Sequence, residues 1–374
     1  MNAATPAQDD TRAPADPIAL AARIRDWARE LGLGAVGIAD LDLGDAPKRL
    51  RDWLAQGRHG DMDYLARHAA LRADPAALVP GALRVISVRM DYWPAAARDA
   101  AAVLADPERA YVSRYALGRD YHKVVRGKLQ ALADRIGADI GAFGYRVFSD
   151  SAPVMEVAYA TKTGIGWRGK HTLALSRDAG STFFLGEIVT DLPLPVDAPA
   201  SAHCGSCRAC LDACPTGAIV APYELDARLC ISYLTIEHRG AIPEAMRPLV
   251  GNRVYGCDDC QLACPWNRYA RAAADPDLAR VRNGLDDATL VELFAWTRAE
   301  FDERMAGSAI RRIGYERWSR NLAVALGNAP ASSALVAALA ARTNDPSVLV
   351  REHVVWALGR HEAAADGKRH SSGT

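Results

Sequence analysis

The sequence predicts an α+β protein in three parts: a mixed α/β N-terminal domain, a compact cysteine-bearing segment and an all-helical C-terminal domain. Three observations carry that prediction. Apolar residues at helical and strand spacing alternate up to about residue 195, all eight cysteines fall between residues 204 and 264, and beyond Asn283 the spacing is wholly helical.

Residues 1–16 are polar and proline-bearing, and are expected to be disordered. Leu20, Ala21, Ile24, Trp27, Ala28 and Leu31 then recur at helical spacing, and Gly32 and Gly34 stop that helix before a short strand at 35–38. Residues 83–90 alternate as a strand, 120–140 form a long amphipathic helix, and 145–148 are the next strand. Residues 153–163 suit a helix, and 172–176 and 183–189 suit strands with a turn at Asp178-Ala179-Gly180. Pro193, Pro195 and Pro199 form a linker, which bounds the first domain at 17–195. The cysteine segment belongs to a second domain at 196–282, whose few periodic runs are expected where metal replaces an apolar core. In the third domain, 283–366, RNLAVALGN at 320–328 partly recurs as REHVVWALGR at 351–360, with the Ala-Leu-Gly elements 32 residues apart. That suggests a pair of HEAT-like helical hairpins; a generic helical bundle is the alternative. Residues 367–374 are expected to be an unstructured tail.

A chain of 374 residues, half of them apolar, can bury a sizeable core. Lys+Arg and Asp+Glu both total 45, so any nucleic-acid-binding surface would have to be local. The first residues hold no apolar run of signal length and no twin arginine, and no later stretch approaches a membrane span. The protein is therefore expected to be soluble and cytoplasmic. Eight thiols crowded into one segment of such a chain point to metal rather than to disulfides.

Cys204, Cys207, Cys210 and Cys214-Pro215 spell C-x-x-C-x-x-C-x-x-x-C-P, the run of bacterial ferredoxins. Two intervening residues let consecutive thiolates reach one iron–sulfur cube, while the fourth thiol points away to the other cube. Cys257, Cys260 and Cys264-Pro265 keep the second half of that pattern, and Cys230 lies 27 residues upstream of Cys257. By the swap rule Cys204, Cys207, Cys210 and Cys264 hold one 4Fe-4S cluster, and Cys214, Cys230, Cys257 and Cys260 hold the other. Two four-cysteine zinc sites are the alternative, but zinc ribbons rarely show three cysteines in succession followed by C-P.

An electron carrier needs far fewer residues, so the preceding α/β domain is expected to bind a cofactor that stores two electrons. Gly164-Ile165-Gly166-Trp167-Arg168-Gly169 matches a dinucleotide fingerprint in letters, but it follows a helix and leads into a strand, the reverse of what that fingerprint needs. It is expected to line another cofactor's pocket. Asp150, at a strand end before Ser151 and Pro153, suits a helix cap. It could equally donate a proton if desolvation raised its pKa.

Over nearly its whole length the chain resembles the bacterial epoxyqueuosine reductases, cobalamin-dependent enzymes of queuosine-tRNA maturation. The matching stretches include Arg72 to Pro80, Gly118-Arg119-Asp120-Tyr121-His122, Asp150-Ser151, Gly164 to Trp167, the cysteine motifs, Cys230 to Thr235 and Ile310 to Gly314. The resemblance implies base-off cobalamin held between the first two domains and reduced by the cluster of Cys214, Cys230, Cys257 and Cys260. It implies that Asp150 gives a proton to the epoxide oxygen as it leaves as water. Arg72, Ser232 and Asp258 match positions that contact cobalamin, as do Lys170 and His171 less closely. Some members carry cysteine where Ser113 stands.

The implied partners are tRNA carrying epoxyqueuosine and an external low-potential electron donor; no membrane is involved, and a monomer is expected. Arg304, Arg311, Arg312, Arg317 and Arg320 concentrate where the helical domain begins and could bind phosphates; His238 and Arg239 could hold the anticodon loop. The plainer reading of the arginines is a solvated face paired with Glu300, Asp302, Glu303 and Glu316. A dehalogenase-type small-molecule reductase and a non-catalytic electron-transfer protein are the rival functions.

Overall fold

The computed structural model describes residues 16–371, so residues 1–15, expected to be disordered, lie outside the described residues. Asp16 caps the first helix, α1 (Pro17–Glu30): its side chain accepts from the Ile18 N–H, and Pro17 occupies a first-turn position where its missing donor costs nothing. There follow β1 (Ala35–Ala39), β2 (Arg84–Asp91), α2 (Tyr121–Ile140), β3 (Tyr145–Phe148), α3 (Glu156–Lys162) and β4 (Phe183–Thr190). The strands form one sheet in the order β1-β2-β4-β3, and every neighbouring pair is antiparallel. The first domain is thus α+β rather than the expected α/β, because apolar spacing reports what an element is and not which way its neighbour runs.

Both faces of the sheet are covered. Ile38, Ile86, Val88 and Ile188 pack against Leu20 and Ile24 of α1 and Leu129 and Ile136 of α2. Alternation sends Ser87, Arg89 and Glu187 to the opposite face, where all three are buried. Arg89 pairs there with Asp91 at 3.1 Å and Asp178 at 2.7 Å. This polar inner face is the floor beneath α3 and the site described below.

The strand expected at 172–176 shrinks to a two-residue ladder, Trp167–Arg168 against Ala174–Leu175. The glycine motif serves that hairpin: a Cβ on Gly166 would lie 2.0 Å from the Leu175 carbonyl oxygen. The expected cofactor-lining role of the loop is corrected accordingly. Gly166 admits the hairpin's own backbone, and Gly164 the Ala198 carbonyl.

The C-terminal helices are α4 (Gly314–Asn328), α5 (Ser333–Ala340) and α6 (Val348–Ser371). The two similar segments lie on α4 and α6, which pack on each other: Gly327 meets Trp356 and Ala357, and Arg360 Nε donates to the Gly327 carbonyl at 3.0 Å. Helix α6 continues to Ser371, past the expected break at Gly367, since one glycine costs only about 1 kcal/mol once a helix is propagating.

The expected domain limits do not separate the cores. Tyr111–Val112 pairs in parallel with Arg253–Tyr255, and Ala110, Val112, Ala116 and Leu117 share one apolar core with Leu290, Phe301, Trp318, Leu322 and Val354. Among the described residues no helix is long and apolar enough to cross a membrane.

Candidate active site

The eight cysteines are all free of disulfides and divide between two cavities. Cys204, Cys207, Cys210 and Cys264 line one of about 240 Å³, beside Lys170, His171 and Trp266. Cys214, Cys230, Cys257 and Cys260 line another of about 400 Å³. Each C-x-x-C-x-x-x-C-P run places its second thiol in a four-residue helix, Ala209–Asp212 or Asp259–Leu262, and its last thiol before a proline. Cys264 thereby joins the first group and Cys214 the second. Burial and the neighbouring thiols push the Cys210 and Cys260 thiols up, so thiolates there need a cation to offset their charge. Cys207 is the exposed member of its group, whereas the second group faces inward.

The larger cavity also holds Asp150, between apolar walls that include Phe183, Phe184, Leu185, Ile219 and Ile231. Asp150 follows β3 and has a left-handed backbone, φ +54°. Its N–H donates to Glu156 Oε1, its carboxylate accepts from the Tyr121 hydroxyl, and Oδ2 lies 3.0 Å from His122 Nε2. It caps no helix: α3 starts after Met155 with no side-chain cap. His122 Nδ1 meets Asp120 Oδ1 at 2.7 Å, and Arg312 donates to Asp120 Oδ2 at 3.1 Å. The result is a continuous row, Arg312–Asp120–His122–Asp150.

Burial pushes the Asp150 carboxyl up, but the bonds from His122 and Tyr121 outweigh it and hold the group below its usual range. The donor reading of Asp150 is conditional on desolvation raising its pKa, and in this arrangement the bonds outweigh that rise. Burial likewise pushes His122 down, and its bonds to Asp120 and Asp150 outweigh that and raise it. The proton of this pair therefore rests on His122. Asp150, with 52% of its side chain exposed, opens into the cavity.

Ser232, Asp258 and His171 line the same cavity. Asp258 is fully engaged by the protein: it accepts from the Tyr111 hydroxyl at 2.8 Å, the Ser113 hydroxyl and the Arg114 N–H. Lys170 faces the other cavity, where Nζ donates to the carbonyls of Gly205 and Cys207 at 2.6 and 2.8 Å and braces the first cysteine loop. Arg72 stands beside the site with Nη1 on the Val154 carbonyl at 3.1 Å and Nε buried without a partner.

The basic face is smaller than expected. Arg320 is fully buried and donates to the carbonyls of Leu234, His238 and Gly240, because α4 is enclosed on nearly all sides. Arg317 binds the carbonyls of Ile313 and Ile236, and the Arg304 guanidinium lies 5.0 Å over Trp296. Arg239 and Arg311 are exposed, Arg312 is 49% exposed, and His238 bonds to Asp61 at 2.8 Å. None of these arginines pairs with Glu300, Asp302, Glu303 or Glu316 among the described residues.

Residues 72–151 match the family model "Epoxyqueuosine reductase QueG, DUF1730", and residues 203–267 match a 4Fe-4S double cluster binding domain. The chain is 60% identical to an epoxyqueuosine reductase of Burkholderia pseudomallei, covering 95% of this chain and 97% of the relative. For that of Pseudomonas aeruginosa the identity is 61%, with 94% and 97% covered, and for that of Escherichia coli 53%, with 93% and 91%. The chain belongs to the epoxyqueuosine reductase family. A crystal structure of an epoxyqueuosine reductase with an epoxyqueuosine-modified tRNA-Tyr stem loop is similar at 30% identity and TM-score 0.82, covering 92% of this chain and 90% of that one. An epoxyqueuosine reductase from Streptococcus thermophilus is similar at 27% identity and TM-score 0.81, with 91% and 90% covered.

For this reductase, reading residues one by one missed the partners of Asp150. Tyr121 and His122 stood in a matched stretch without a role, and Glu156 carried no signal at all. A carboxylate at the centre of a strand with covered faces, Glu187 among Phe183 to Thr190, was the available clue.

Proposed function

We propose that this chain reduces epoxyqueuosine to queuosine at the wobble position of tRNA, with electrons passing through two 4Fe-4S clusters to base-off cobalamin. One observation carries the reading: in a member of this family, Asp150 and four inward-facing cysteines border one cavity. Two fours of thiols fit two iron–sulfur cubes, held by Cys204, Cys207, Cys210 and Cys264 and by Cys214, Cys230, Cys257 and Cys260. The exposed Cys207 side is where an external low-potential donor would deliver electrons.

The cavity's apolar walls, Ser232 and the unpartnered buried His171 Nε2 fit a corrin macrocycle with a few polar contacts, and Arg72 lies within reach as a further one. When bound, cobalamin supplies a two-electron reductant. The chain's own residues manage the proton. Tyr121 and His122 orient the Asp150 carboxyl, and a substrate closing the cavity removes water from it. That desolvation draws the proton from His122 to Asp150, which passes it to the epoxide oxygen.

Arg239, Arg311, Arg312 and His238 are the residues proposed to hold tRNA phosphates, and Arg312 joins that surface to the Asp150 row. The α4–α6 pair is read as HEAT-like, with the bounds 17–195, 196–282 and 283–366 as functional regions rather than separate cores. The family's role in tRNA modification supports a cytoplasmic location.

The test is direct. Anaerobically reconstituted protein, given cobalamin, a low-potential reductant and epoxyqueuosine-bearing tRNA, is expected to yield queuosine by nucleoside mass spectrometry. No conversion, or conversion that needs no corrinoid, overturns the proposal. Asp150→Asn is expected to lower turnover by about a hundredfold or more, and wild-type turnover in that variant removes the donor role.

A further inference from the structure

The reduction proposed above consumes two protons, and Asp150 carries one. Behind it lies a second acid. Glu187 stands mid-sheet, opposite Ser87 on one side and Phe148 on the other, with no exposed surface. Its Oε1 accepts from Ser87 Oγ at 3.4 Å, while Oε2 is buried without a donor. The group it faces at hydrogen-bond range is Glu156. Two carboxylates offer only acceptors, so this contact is attractive only when one of them carries a proton. Glu156 in turn lines the cavity and accepts from the Asp150 N–H.

We propose that Glu156 and Glu187 share one proton at neutral pH and deliver it into the cavity as the second proton of the reaction. The inference rests on the reductase reading above. Two electrons break both C–O bonds of the epoxide and leave a C=C bond, and the departing oxygen needs two protons to become water. Asp150 gives one and the glutamate pair the other, and both are restored from solvent after the product leaves. The surroundings offset the pair's charge only in part, since burial and Asp150 outweigh the one facing cation. Arg72 is the cation that faces Glu156, and its guanidinium bonds to the Val154 carbonyl; Arg89, two positions from Ser87, is committed to Asp91 and Asp178. Asp150, Tyr121 and Tyr159 are the other titratable groups against the pair, and His122 lies beyond Asp150. Burial and the Asp150 charge push Glu156 up to about 8, and burial pushes Glu187 well above the usual range.

Infrared spectra of the cluster- and cobalamin-loaded protein, in water and heavy water, test this. A protonated-carboxyl band is expected at neutral pH, well above the range where exposed carboxyls lose their proton, a signature histidine cannot give. The band is expected to shift in Glu156→Gln and in Glu187→Gln and to vanish in the double variant, and single-turnover reduction of an epoxyqueuosine stem loop to slow by about a hundredfold in each. Glu187→Asp should restore part of each. A wild-type protein without the band overturns the proposal, as do variants that shift or lose the band and keep the wild-type rate. Should Glu187→Gln not fold, Glu156→Gln, at the cavity edge, gives the same two readouts. A wild-type protein that shows the band and converts no RNA overturns the reductase reading, and the donor role with it, while leaving the shared proton standing.

Discussion

Asp150 holds a backbone conformation that costs a non-glycine residue about 1 kcal/mol or more, and Glu156, Tyr121 and His122 secure it. His122 is fixed in turn by Asp120, the most strongly stabilised carboxylate of the row. Burial pushes Asp120 up, yet its bonds to His122 and Arg312 bring it down to about 2. A folded-state pKa below the ordinary 3.8 means that the contribution is present above 3.8 and is lost as pH falls through about 2. With Asp120 only 9% exposed, Asp120→Asn should cost about 2 kcal/mol at neutral pH, read from denaturant midpoints, and the gap should close in strong acid. A pH-independent gap would mean the loss comes from packing. Little of this row was legible in the sequence, because it joins residues that adjacency does not connect: Arg312 to Asp120, and His122 to Asp150. The cysteines were legible one by one, since their chemistry demands short fixed spacings.

At the scale of elements, periodicity found α1, α2 and the sheet strands to within a few residues, and it failed where pairing or enclosure decides. The Trp167–Arg168 ladder depends on a partner six or more residues away, and the arginines of α4 looked like a surface because spacing alone does not say how many sides a helix buries. Arg320 is the instructive case. Burial pushes its pKa down to about 9, and the carbonyls of Leu234, His238 and Gly240 satisfy its guanidinium. It pins the segment after Cys230 to the C-terminal helices. Arg320→Met is expected to destabilise by about 3 kcal/mol or more, since it leaves three carbonyls unpaired. The same variant should loosen the second cysteine group and lower iron content after reconstitution. Full iron and wild-type stability would show that water replaces the guanidinium without loss.

Across the whole molecule, stability should fall in mild acid for a reason unrelated to the clusters. His353 is fully buried on α6 with Nδ1 against the Leu349 carbonyl at 2.7 Å and Nε2 accepting from the Ile242 N–H at 3.1 Å, an arrangement only the neutral ring can make. Burial pushes it down to about 4 from the ordinary 6.5. The unfolded chain takes up the proton first, so stability is lost as pH falls below 6.5 and levels off near 4, by about 3 kcal/mol in all. Thermal melting across that window should show the loss in the wild type and less of it in His353→Gln; equal slopes would sink the assignment. The interlocked core sets the order of manufacture. Translation releases Val112 long before its strand partner Tyr255, and longer still before Val354 of the same core, so that core closes only once α6 has been made. A chain stopped after Asn283 would lack Leu290, Phe301, Trp318, Leu322 and Val354, and so would leave Ala110, Val112, Ala116 and Leu117 without the partners that bury them.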